Sequence, residues 1–381
     1  MTKKILYISG TRADYGLMRT VLKRIDQCAD LELEIVVTGM HLMPEFGSSV
    51  SEIVADGFRI HEIPVVHEDD TRESMSAFIG NLIVQLTKKV TAIRPDLILL
   101  LGDRGEMLAG AVVGTYTGIP VVHIHGGEIT STVDEPVRHA ITKLAHIHLP
   151  ATKKSTRRII RMGEDPAKVQ VVGAPGLEPI VRGEFTPRKT LLSKYKLDPS
   201  GPILLVVQHP VSGEVNDAAA QMRTTLEAVA ELGHQTLVVY PNADAGGRQM
   251  IAVIREFSRI SSIQAHRNIP HSDYLGLLKF ASVLVGNSSS GIIEAPSFHL
   301  PVVNIGSRQQ GRERASNTLD TGYDKYDIKK AIGRAIGDRE FLQKVRKGKN
   351  PYGDGTASEK IVAILNSLDT AALDTQKKNF Y

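Results

Sequence analysis

The stretch ASVLVGNSSSGIIEAP, residues 281–296, joins an apolar run to a loop in which three serines lie between two glycines. Such a run is typical of a buried strand, and the glycine-rich loop after it places free backbone N–H groups at the start of the next helix. These groups and the positive end of the helix dipole attract phosphate. Serine hydroxyls add donors with little bulk, and Gly291 allows the backbone to approach a ligand closely. The stretch therefore predicts a strand–loop–helix unit with a phosphate site at its loop.

Short apolar runs alternate with helical patterns along the whole chain. In the first half, strands are predicted at Lys4–Ser9, Glu32–Thr38, Leu97–Leu101, Pro120–His125, Ile147–Pro150 and Val169–Val172. After Pro187 the pattern starts again, with strands at Ile203–Gln208, Gln235–Tyr240, Ser261–Ala265, Ser282–Val285 and Pro301–Ile305. Helices are predicted at Tyr15–Gln27, Met75–Ile93, Pro136–Ala145, Ala218–Glu231, Gln249–Arg259 and Ser272–Phe280. Runs without polar alternation indicate strands covered on both faces, so we predict an α/β fold with two Rossmann-like domains and a ligand cleft between them.

The restart of the pattern sets the expected domain boundary. We predict an N-terminal domain over residues 1–176 and a C-terminal domain over residues 177–365. A last helical pattern covers Ala357–Ser367, and we expect a C-terminal helix, at about residues 366–381, to pack back on the first domain. The first domain would then contain segments from both ends of the sequence.

The composition limits the classes of partner and compartment. The chain has 381 residues, a formal net charge of +4 and a single cysteine, Cys28. That charge suits a small anionic substrate but is too diffuse to predict nucleic-acid binding. One cysteine excludes an intramolecular disulfide and fits a reducing compartment. Because the sequence has neither a signal-peptide core nor an apolar stretch of about 18 residues, we expect a cytoplasmic protein without membrane contact.

Polar and glycine-rich segments follow the predicted strands, where an open α/β sheet binds its ligands. They read GTRADYG (10–16), TGMHLM (38–43), GDRGE (102–106), HIHGGE (123–128), QHP (208–210), YPNAD (240–244), GNSSSG (286–291) and IGSRQQGR (305–312). The first strand is not followed by GxGxxG, and GxxxxGK[ST] does not occur, which disfavours NAD and a P-loop nucleotide. His123 and His125 alternate along a strand and face opposite sides, which disfavours a metal site. We therefore expect neither a cofactor nor a metal.

Taken in order, several of these segments resemble the UDP-N-acetylglucosamine 2-epimerases. They are GTRADYG, TGMH, GDR, HIHGGE with DEPVRHAITKLAHIH, GNSSSGIIEAPSF, NIGSRQQGR and NPYGDGTASEKI. The chain is most similar to the hydrolysing branch of bacterial sialic and legionaminic acid biosynthesis, because it lacks the ERPE-like stretch and the Glu-Ala-Gly motif of the non-hydrolysing enzymes. The resemblance covers residues 3–366 and implies a glycosyltransferase-B-like fold. It also implies conversion of UDP-N-acetylglucosamine and water to N-acetylmannosamine and UDP.

The resemblance and the strand-end positions together give the candidate site residues. Those with expected catalytic roles are Asp103, Glu128, Asp134 and His209. Those expected to bind the UDP-sugar are Arg12, His41, Arg104, Glu135, Asn242, Asn287, Ser288, Ser289, Ser290, Gly291, Glu294 and Arg308. H2 of the sugar can leave only as the C1–O bond to UDP breaks, so carboxyl groups on two faces of the ring would remove one proton and return another. Which carboxylate acts as the base is left open by the sequence.

Other functions stay open from the sequence. The same reaction on UDP-N,N′-diacetylbacillosamine, which leads to legionaminic acid, differs only at C4 and C6 of the sugar. A retaining glycosyltransferase of the same fold, or a non-catalytic nucleotide-sugar sensor, would not need the carboxylates between residues 103 and 135. Glu178 stands where the wider family often has aspartate, so its role is open. We also expect a homo-oligomer, either a dimer or a tetramer.

Overall fold

Two six-stranded parallel sheets organise the computed structural model, which describes residues 2–380. The strands of the first sheet are β1 Lys3–Ser9, β2 Leu31–Val37, β3 Ile60–Glu62, β4 Leu97–Leu101, β5 Val121–Ile124 and β6 Ile147–Leu149. Those of the second are β7 Ile203–Val207, β8 Gln235–Val239, β9 Ile263–His266, β10 Val283–Gly286, β11 Val302–Ile305 and β12 Thr318–Thr321. The strand orders are β3-β2-β1-β4-β5-β6 and β12-β11-β10-β7-β8-β9, which is the same doubly wound order twice. We call the chain around each sheet the first half and the second half.

Helices connect the strands and cover both faces of each sheet. In the first half they are α1 Arg12–Asp26, α2 Val50–Ala55, α3 Arg72–Ile93, α4 Gly105–Thr117, α5 Asp134–Leu144 and α6 Lys153–Arg161, and α7 Glu178–Arg182 follows where the chain crosses to the second half, whose core contains Ile180. In the second half they are α8 Arg188–Lys194, α9 Ala218–Leu232, α10 Gly247–Phe257, α11 His271–Phe280, α12 Ser290–Ile293, α13 Lys325–Gly337 and α14 Arg339–Lys347. A last helix, α15, covers Ala357–Ser367. The predicted α/β class with two Rossmann-like sheets is confirmed.

The central strands are buried on both faces, as their unalternating apolar runs predict. Ile5 and Tyr7 of β1 belong to the apolar core on one face of the first sheet, and Leu6 and Ile8 belong to the core on the other face. The strand β7 divides its side chains between two cores in the same way. Because both faces are covered, ligand access is left to the strand ends, where the polar segments lie.

Helix α15 returns to the first half, as the sequence suggested. Its Ile361 and Leu365 are fully buried in the core that contains Met18 and Leu22 of α1. The expectation of a helix at about residues 366–381 is wrong for the described part of that segment, because α15 ends at Ser367 and residues 368–380 form turns and irregular chain. That segment nevertheless packs on the first half through its side chains.

Two further differences lie at the margins of the sheets. The strand predicted at Val169–Val172 is reduced to one bridge between His148 and Val169, and the segment is irregular chain in which Val169 and Val172 are buried and Val171 is exposed. The edge strands β3 and β12 were missed, because the sequences IHE and TLDT are short and polar. Edge strands need no apolar run, since one side of each is open to solvent.

Glu178 has a structural explanation. Its carboxylate is fully buried and lies 3.4 Å from Arg24 of α1 and 2.5 Å from Arg182. It also accepts a hydrogen bond of 3.2 Å from the backbone N–H of Ser358, at the start of α15. Glu178 therefore ties α7 and α15 to α1, and a role at the cleft is not needed to explain it.

No helix within residues 2–380 is both long enough and apolar enough to cross a membrane.

Gly286, at the end of β10, offers a test of the backbone before the serine loop. Its φ is +127°, and a Cβ added there would lie 2.2 Å from the carbonyl oxygen of Val207. We expect Gly286→Ala to lower the free energy of unfolding by at least ~2 kcal/mol, because the residue would be strained and would clash with backbone. Urea titration of the purified variant measures this.

The matched control is Gly333→Ala, within α13, where an added Cβ meets no atom within 4 Å. Alanine there should be neutral or should stabilise by up to ~1 kcal/mol, because it favours the helix. Equal stability of the two variants would contradict the backbone geometry assigned to Gly286.

Candidate active site

The carboxyl ends of the two sheets face each other across a cleft that contains two adjoining cavities. The first, of about 150 Å³, is named here the serine-loop cavity. It is lined by eight of the predicted residues, which are Arg12, His209, Asn242, Ser288, Ser289, Ser290, Glu294 and Arg308. The second, of about 480 Å³, is named the carboxylate cavity. It is lined by three predicted residues, Asp103, Arg104 and Asp134.

The serine loop follows β10 and leads into the four-residue helix α12. Ser288 and Ser290 are engaged within the loop, since their hydroxyls lie 3.0 Å apart and Tyr274 hydrogen-bonds Ser290. Ser289 stands at the N-cap position, but its side chain makes no capping hydrogen bond. Its hydroxyl is therefore free of the structural role that would explain a serine there, which favours a ligand contact.

Gly291 has a packing role that differs from the expected close approach to a ligand. A Cβ at Gly291 would lie 2.9 Å from Cγ1 of Val302, on the side of the sheet. The missing side chain lets α12 pack on β10 and β11, which explains the glycine by itself, and a ligand contact of Gly291 stays a prediction.

His209 is held as a neutral hydrogen-bond donor. Its Nδ1 accepts a 3.2 Å hydrogen bond from the backbone N–H of Asn242, so the proton resides on Nε2. Burial lowers the pKa of His209 to about 3, and the nearby Arg308 guanidinium acts in the same direction. A neutral imidazole can donate Nε2–H to an oxygen in the cavity, but it is a poor source of a transferable proton at neutral pH.

Asn287 holds the backbone of His209 in place. Its side chain accepts from the His209 N–H at 2.7 Å and donates to the His209 carbonyl at 2.9 Å. The Asn287 carbonyl in turn accepts from Arg308 at 3.2 Å. Asn287 was expected to bind the substrate, but its side chain is fully used in joining β7 to β10.

Three arginines bring positive charge to the cleft. Arg12 of α1 reaches the second half, where it donates to the Asn268 side chain and to the carbonyl of Ile269. Arg104 lies 3.5 Å from Asp244 across the cleft, and Arg308 lies 3.7 Å from Asp134. Their guanidinium groups line the two cavities, so an anionic group in either cavity would meet arginine.

The carboxylate cavity holds two of the three acids predicted to flank a substrate. Asp103, after β4, pairs with the guanidinium of Arg138, which is almost completely buried. Asp134 begins α5 and accepts a 2.9 Å hydrogen bond from the Thr132 hydroxyl. Both residues line the same cavity, so one ligand there would lie near both carboxylates.

Glu128, the third predicted acid, is buried away from both cavities. Its carboxylate lies 2.6 Å from Arg312 of the second half and 3.1 Å from Nδ1 of His125. Burial raises its pKa, but Arg312 and His125 outweigh this effect and the pKa falls to about 2. An ionised carboxylate with so low a pKa is a weak base, and in this arrangement it fastens the two halves together.

The pKa of Glu294 is raised, whereas that of Glu128 is lowered. It is buried, it lines the serine-loop cavity, and its Oε2 has no hydrogen-bond partner within the described residues. Burial without a partner raises its pKa to about 7. A carboxylate left in this state is suited to accept hydrogen bonds from neutral donors such as hydroxyl groups.

Two other predicted residues lie away from both cavities. His41 is fully buried, and its ring nitrogens contact the hydroxyls of Ser9 at 2.9 Å and Ser49 at 2.8 Å. Glu135 accepts a 2.8 Å hydrogen bond from the backbone N–H of Thr130 and so fixes the loop before α5. These contacts lie inside the first half, and a direct role of the two residues in binding stays a prediction.

The sequence analysis missed three charged residues of the cleft, Arg138, Asp244 and Arg312. Arg138 had a signal in the sequence, because it precedes the buried Ile141 by three residues and so shares the inner face of α5. Asp244 and Arg312 lie inside quoted strand-end segments, but nothing in the sequence distinguished them from their neighbours. Within residues 2–380, no cluster of three or more His, Cys, Asp or Glu side chains could hold a metal ion.

The two facing Rossmann-like sheets, with arginines and a serine loop at their carboxyl ends, define a glycosyltransferase-B-like protein with a site for an anionic ligand. The family model for UDP-N-acetylglucosamine 2-epimerase matches residues 23–366. The chain belongs to this family.

Individual relatives extend the comparison over the whole chain. A UDP-N,N′-diacetylbacillosamine 2-epimerase (hydrolyzing) of Legionella pneumophila is 43% identical to this chain, and the match covers 100% of both chains. A UDP-N-acetylglucosamine 2-epimerase of Neisseria meningitidis serogroup B is 32% identical, over 99% of this chain and 98% of the relative. The crystal structure of a Neisseria meningitidis UDP-GlcNAc 2-epimerase bound to UDP-GlcNAc has a TM-score of 0.79, with 95% of this chain and 99% of that chain covered. It is 19% identical, so it supports the glycosyltransferase-B-like fold alone.

The pKa of Glu294 predicts a pH-dependent cost in stability. The pKa of Glu294 in the folded protein, about 7, lies above its usual value of 4.5. At low pH the carboxyl group is protonated and its burial lowers the free energy of unfolding little. As the pH rises from 4.5 through 7, the free energy of unfolding falls. Glu294→Gln stays neutral, so its stability relative to the wild type should rise between pH 5 and pH 8 by up to ~3 kcal/mol. Urea titrations of both proteins at these pH values measure the difference. A difference that does not change with pH would contradict the burial of an unpaired carboxyl group.

Proposed function

We propose that the protein is a hydrolysing UDP-sugar 2-epimerase, with UDP-N,N′-diacetylbacillosamine as its substrate. The observation that carries the proposal is the adjacency of the serine-loop cavity and the carboxylate cavity, joined at the pair Arg308–Asp134. One cavity offers donors for a diphosphate, and the other offers carboxylates for a sugar. Family membership and the 43% identity to a hydrolysing relative support the same activity.

In this proposal the serine-loop cavity holds UDP. The diphosphate would receive hydrogen bonds from Ser289, the Nε2–H of His209 and the guanidinium of Arg308. Glu294 would accept hydrogen bonds from the ribose hydroxyls, which would satisfy its unpartnered oxygen. These donors stabilise the negative charge that develops on UDP as the C1–O bond breaks.

The carboxylate cavity would carry out the proton transfers. Asp103 or Asp134 removes H2 while the C1–O bond electrons leave with UDP, which gives a glycal with a double bond between C1 and C2. Water then adds its oxygen to C1, and a carboxyl group delivers a proton to the opposite face of C2. The sum is UDP-sugar plus water giving UDP and the free sugar of manno configuration, with all atoms and charges balanced.

The choice of sugar reverses the order expected from the sequence, which put UDP-N-acetylglucosamine first. The relative named for diacetylbacillosamine is 43% identical, and the relative named for N-acetylglucosamine is 32% identical. The wall of the carboxylate cavity adds a physical reason, because the half-exposed apolar side chains of Met75, Ile79, Val133 and Val137 line it. Such a wall suits the C6 methyl group and the second acetamido methyl group of diacetylbacillosamine.

UDP-N-acetylglucosamine is the second candidate substrate, because a hydroxyl at C4 and a hydroxymethyl at C6 would still fit beside polar groups such as Ser76 and Arg72. A retaining glycosyltransferase or a nucleotide-sugar sensor would leave the buried pair Asp103–Arg138 without a purpose. The site chemistry therefore favours elimination over both alternatives.

Reaction in D₂O tests the elimination. The proton returned to C2 comes from solvent through a carboxyl group, so the free sugar should carry deuterium at C2 and should form first as the α-anomer of the manno epimer. ¹H NMR of the reaction measures both. The variant Asp103→Asn keeps the size of the side chain but not its basicity, and its turnover should fall at least ~100-fold. Complete retention of protium at C2 would exclude the glycal route.

Val133→Thr tests the choice of sugar, because it replaces a methyl group by a hydroxyl of similar size on a side chain that is 44% exposed. We expect the ratio of kcat/KM for UDP-N,N′-diacetylbacillosamine to that for UDP-N-acetylglucosamine to fall about 3- to 10-fold. The matched control is Val84→Thr, on the outer face of α3 and 55% exposed, which should leave the ratio unchanged. A wild-type preference for UDP-N-acetylglucosamine would reverse the proposed order of substrates.

A further inference from the structure

Residues 374–380 lie against the end of α5 that is remote from the cleft. The ammonium group of Lys377 donates to the carbonyls of Thr142 at 2.9 Å, Lys143 at 2.9 Å and Ala145 at 2.6 Å. The Asn379 side chain accepts from the Lys143 ammonium at 2.7 Å. The short segment therefore meets the last turn of α5 through several directed contacts.

The end of α5 needs such contacts because it lacks a cap of its own. The residue after the helix, Ala145, is extended, and the sequence offers no glycine there to turn the chain back on the helix. The last carbonyls of a helix have no partner within the helix and carry its negative dipole end. The partly buried ammonium group of Lys377 satisfies both the hydrogen bonds and the charge. Lys377 thus acts as a C-cap supplied from more than 230 residues away in the sequence.

A buried carboxylate anchors the segment. Glu164 is 2% exposed, and it lies 2.5 Å from Lys377, 2.7 Å from Lys143 and 3.0 Å from His148. These partners lower the pKa of Glu164 to about 2 in spite of its burial, so it is ionised at neutral pH. Removing Lys377 would take a positive partner from the buried carboxylate of Glu164 and from the last carbonyls of α5.

The other end of α5 reaches the carboxylate cavity. Asp134 is its first residue, and Arg138, one turn later, pairs with Asp103 and donates to the carbonyl of Glu128 at 2.9 Å. The helix is short, about 16 Å over its 11 residues, so a shift of its last turn moves its first turn as well. Both carboxylates of the cavity therefore depend on where α5 lies.

We propose that residues 374–380 form a strap that sets the position of α5, with Lys377 as a positioning residue for Asp134 and Asp103. The effect on turnover rests on the proposed function, whereas the effect on α5 itself does not. A misplacement of about 1 Å at reacting groups can cost ~100-fold in rate, so loss of the strap should lower kcat.

The test compares Lys377→Met with Lys378→Met, a neighbouring lysine that is exposed. For Lys377→Met we expect kcat to fall at least ~10-fold, with the Kd of UDP changed less than ~2-fold because the serine-loop cavity belongs mainly to the second half. Lys377→Arg, which can still donate to the carbonyls, should restore most of kcat.

Hydrogen exchange of residues 134–144 should accelerate in Lys377→Met and stay unchanged in Lys378→Met. Thermal unfolding of each variant confirms that the assay temperature lies below its Tm.

A second variant separates positioning from general stability. A chain that ends at residue 368 should lose kcat in the same way, and a synthetic peptide of residues 369–381 added in excess should restore it. Unchanged kcat in Lys377→Met, an equal loss in Lys378→Met, or no rescue by the peptide would each overturn the strap. If the wild-type protein hydrolyses neither UDP-sugar, the proposed function fails, and faster exchange of α5 in Lys377→Met still tests the strap by itself.

Discussion

Burial of guanidinium groups between the two halves is the constraint on which the site depends. An unpaired buried guanidinium costs several kcal/mol, so each needs an anionic partner, and three of these arginines have one across the cleft, although Arg104 also pairs with Glu106 of its own half at 3.2 Å. The pairs are Arg308–Asp134, Arg312–Glu128 and Arg104–Asp244. They bring the strand-end loops of one sheet against those of the other, and so create the cavities themselves. A diphosphate is an anion like these carboxylates, so the same arginines would attract it into the cleft.

The two cavities divide the site into a part that binds charge and a part that carries acids. Neutral His209 and the free hydroxyl of Ser289 face the first, and Asp103 and Asp134 face the second. Glu128 belongs to neither, because its pairing with Arg312 makes it a fastener between the halves. The chemistry proposed above therefore needs two carboxylates around the sugar and not the three that the family resemblance implied.

The sequence predicted most of the fold because the central strands are long, apolar and buried on both faces. It failed where a segment's structure depends on distant partners, as at Val169–Val172, where Val169 and Val172 are buried and Val171 is exposed, and only Val169 forms a bridge. The candidate site followed the same division. The positions of Ser289 and Asp103 after strands predicted their place at the cavities, while the burial of His41 depends on Ser9 and Ser49, which come from separate segments. Arg138 could have been predicted as buried, because it lies three residues before the apolar Ile141 on the same face of α5.

The location of α15 has a consequence for biosynthesis. The strands of the first sheet leave the ribosome early, but Ile361 and Leu365, which complete their core, leave it only after the whole second half has been made. Until then the part of α1 that packs on α15 has no cover, whereas the second sheet can close over its own residues as they emerge. The nascent chain therefore finishes its second half before its first, and the early segments must be kept from aggregating for most of translation.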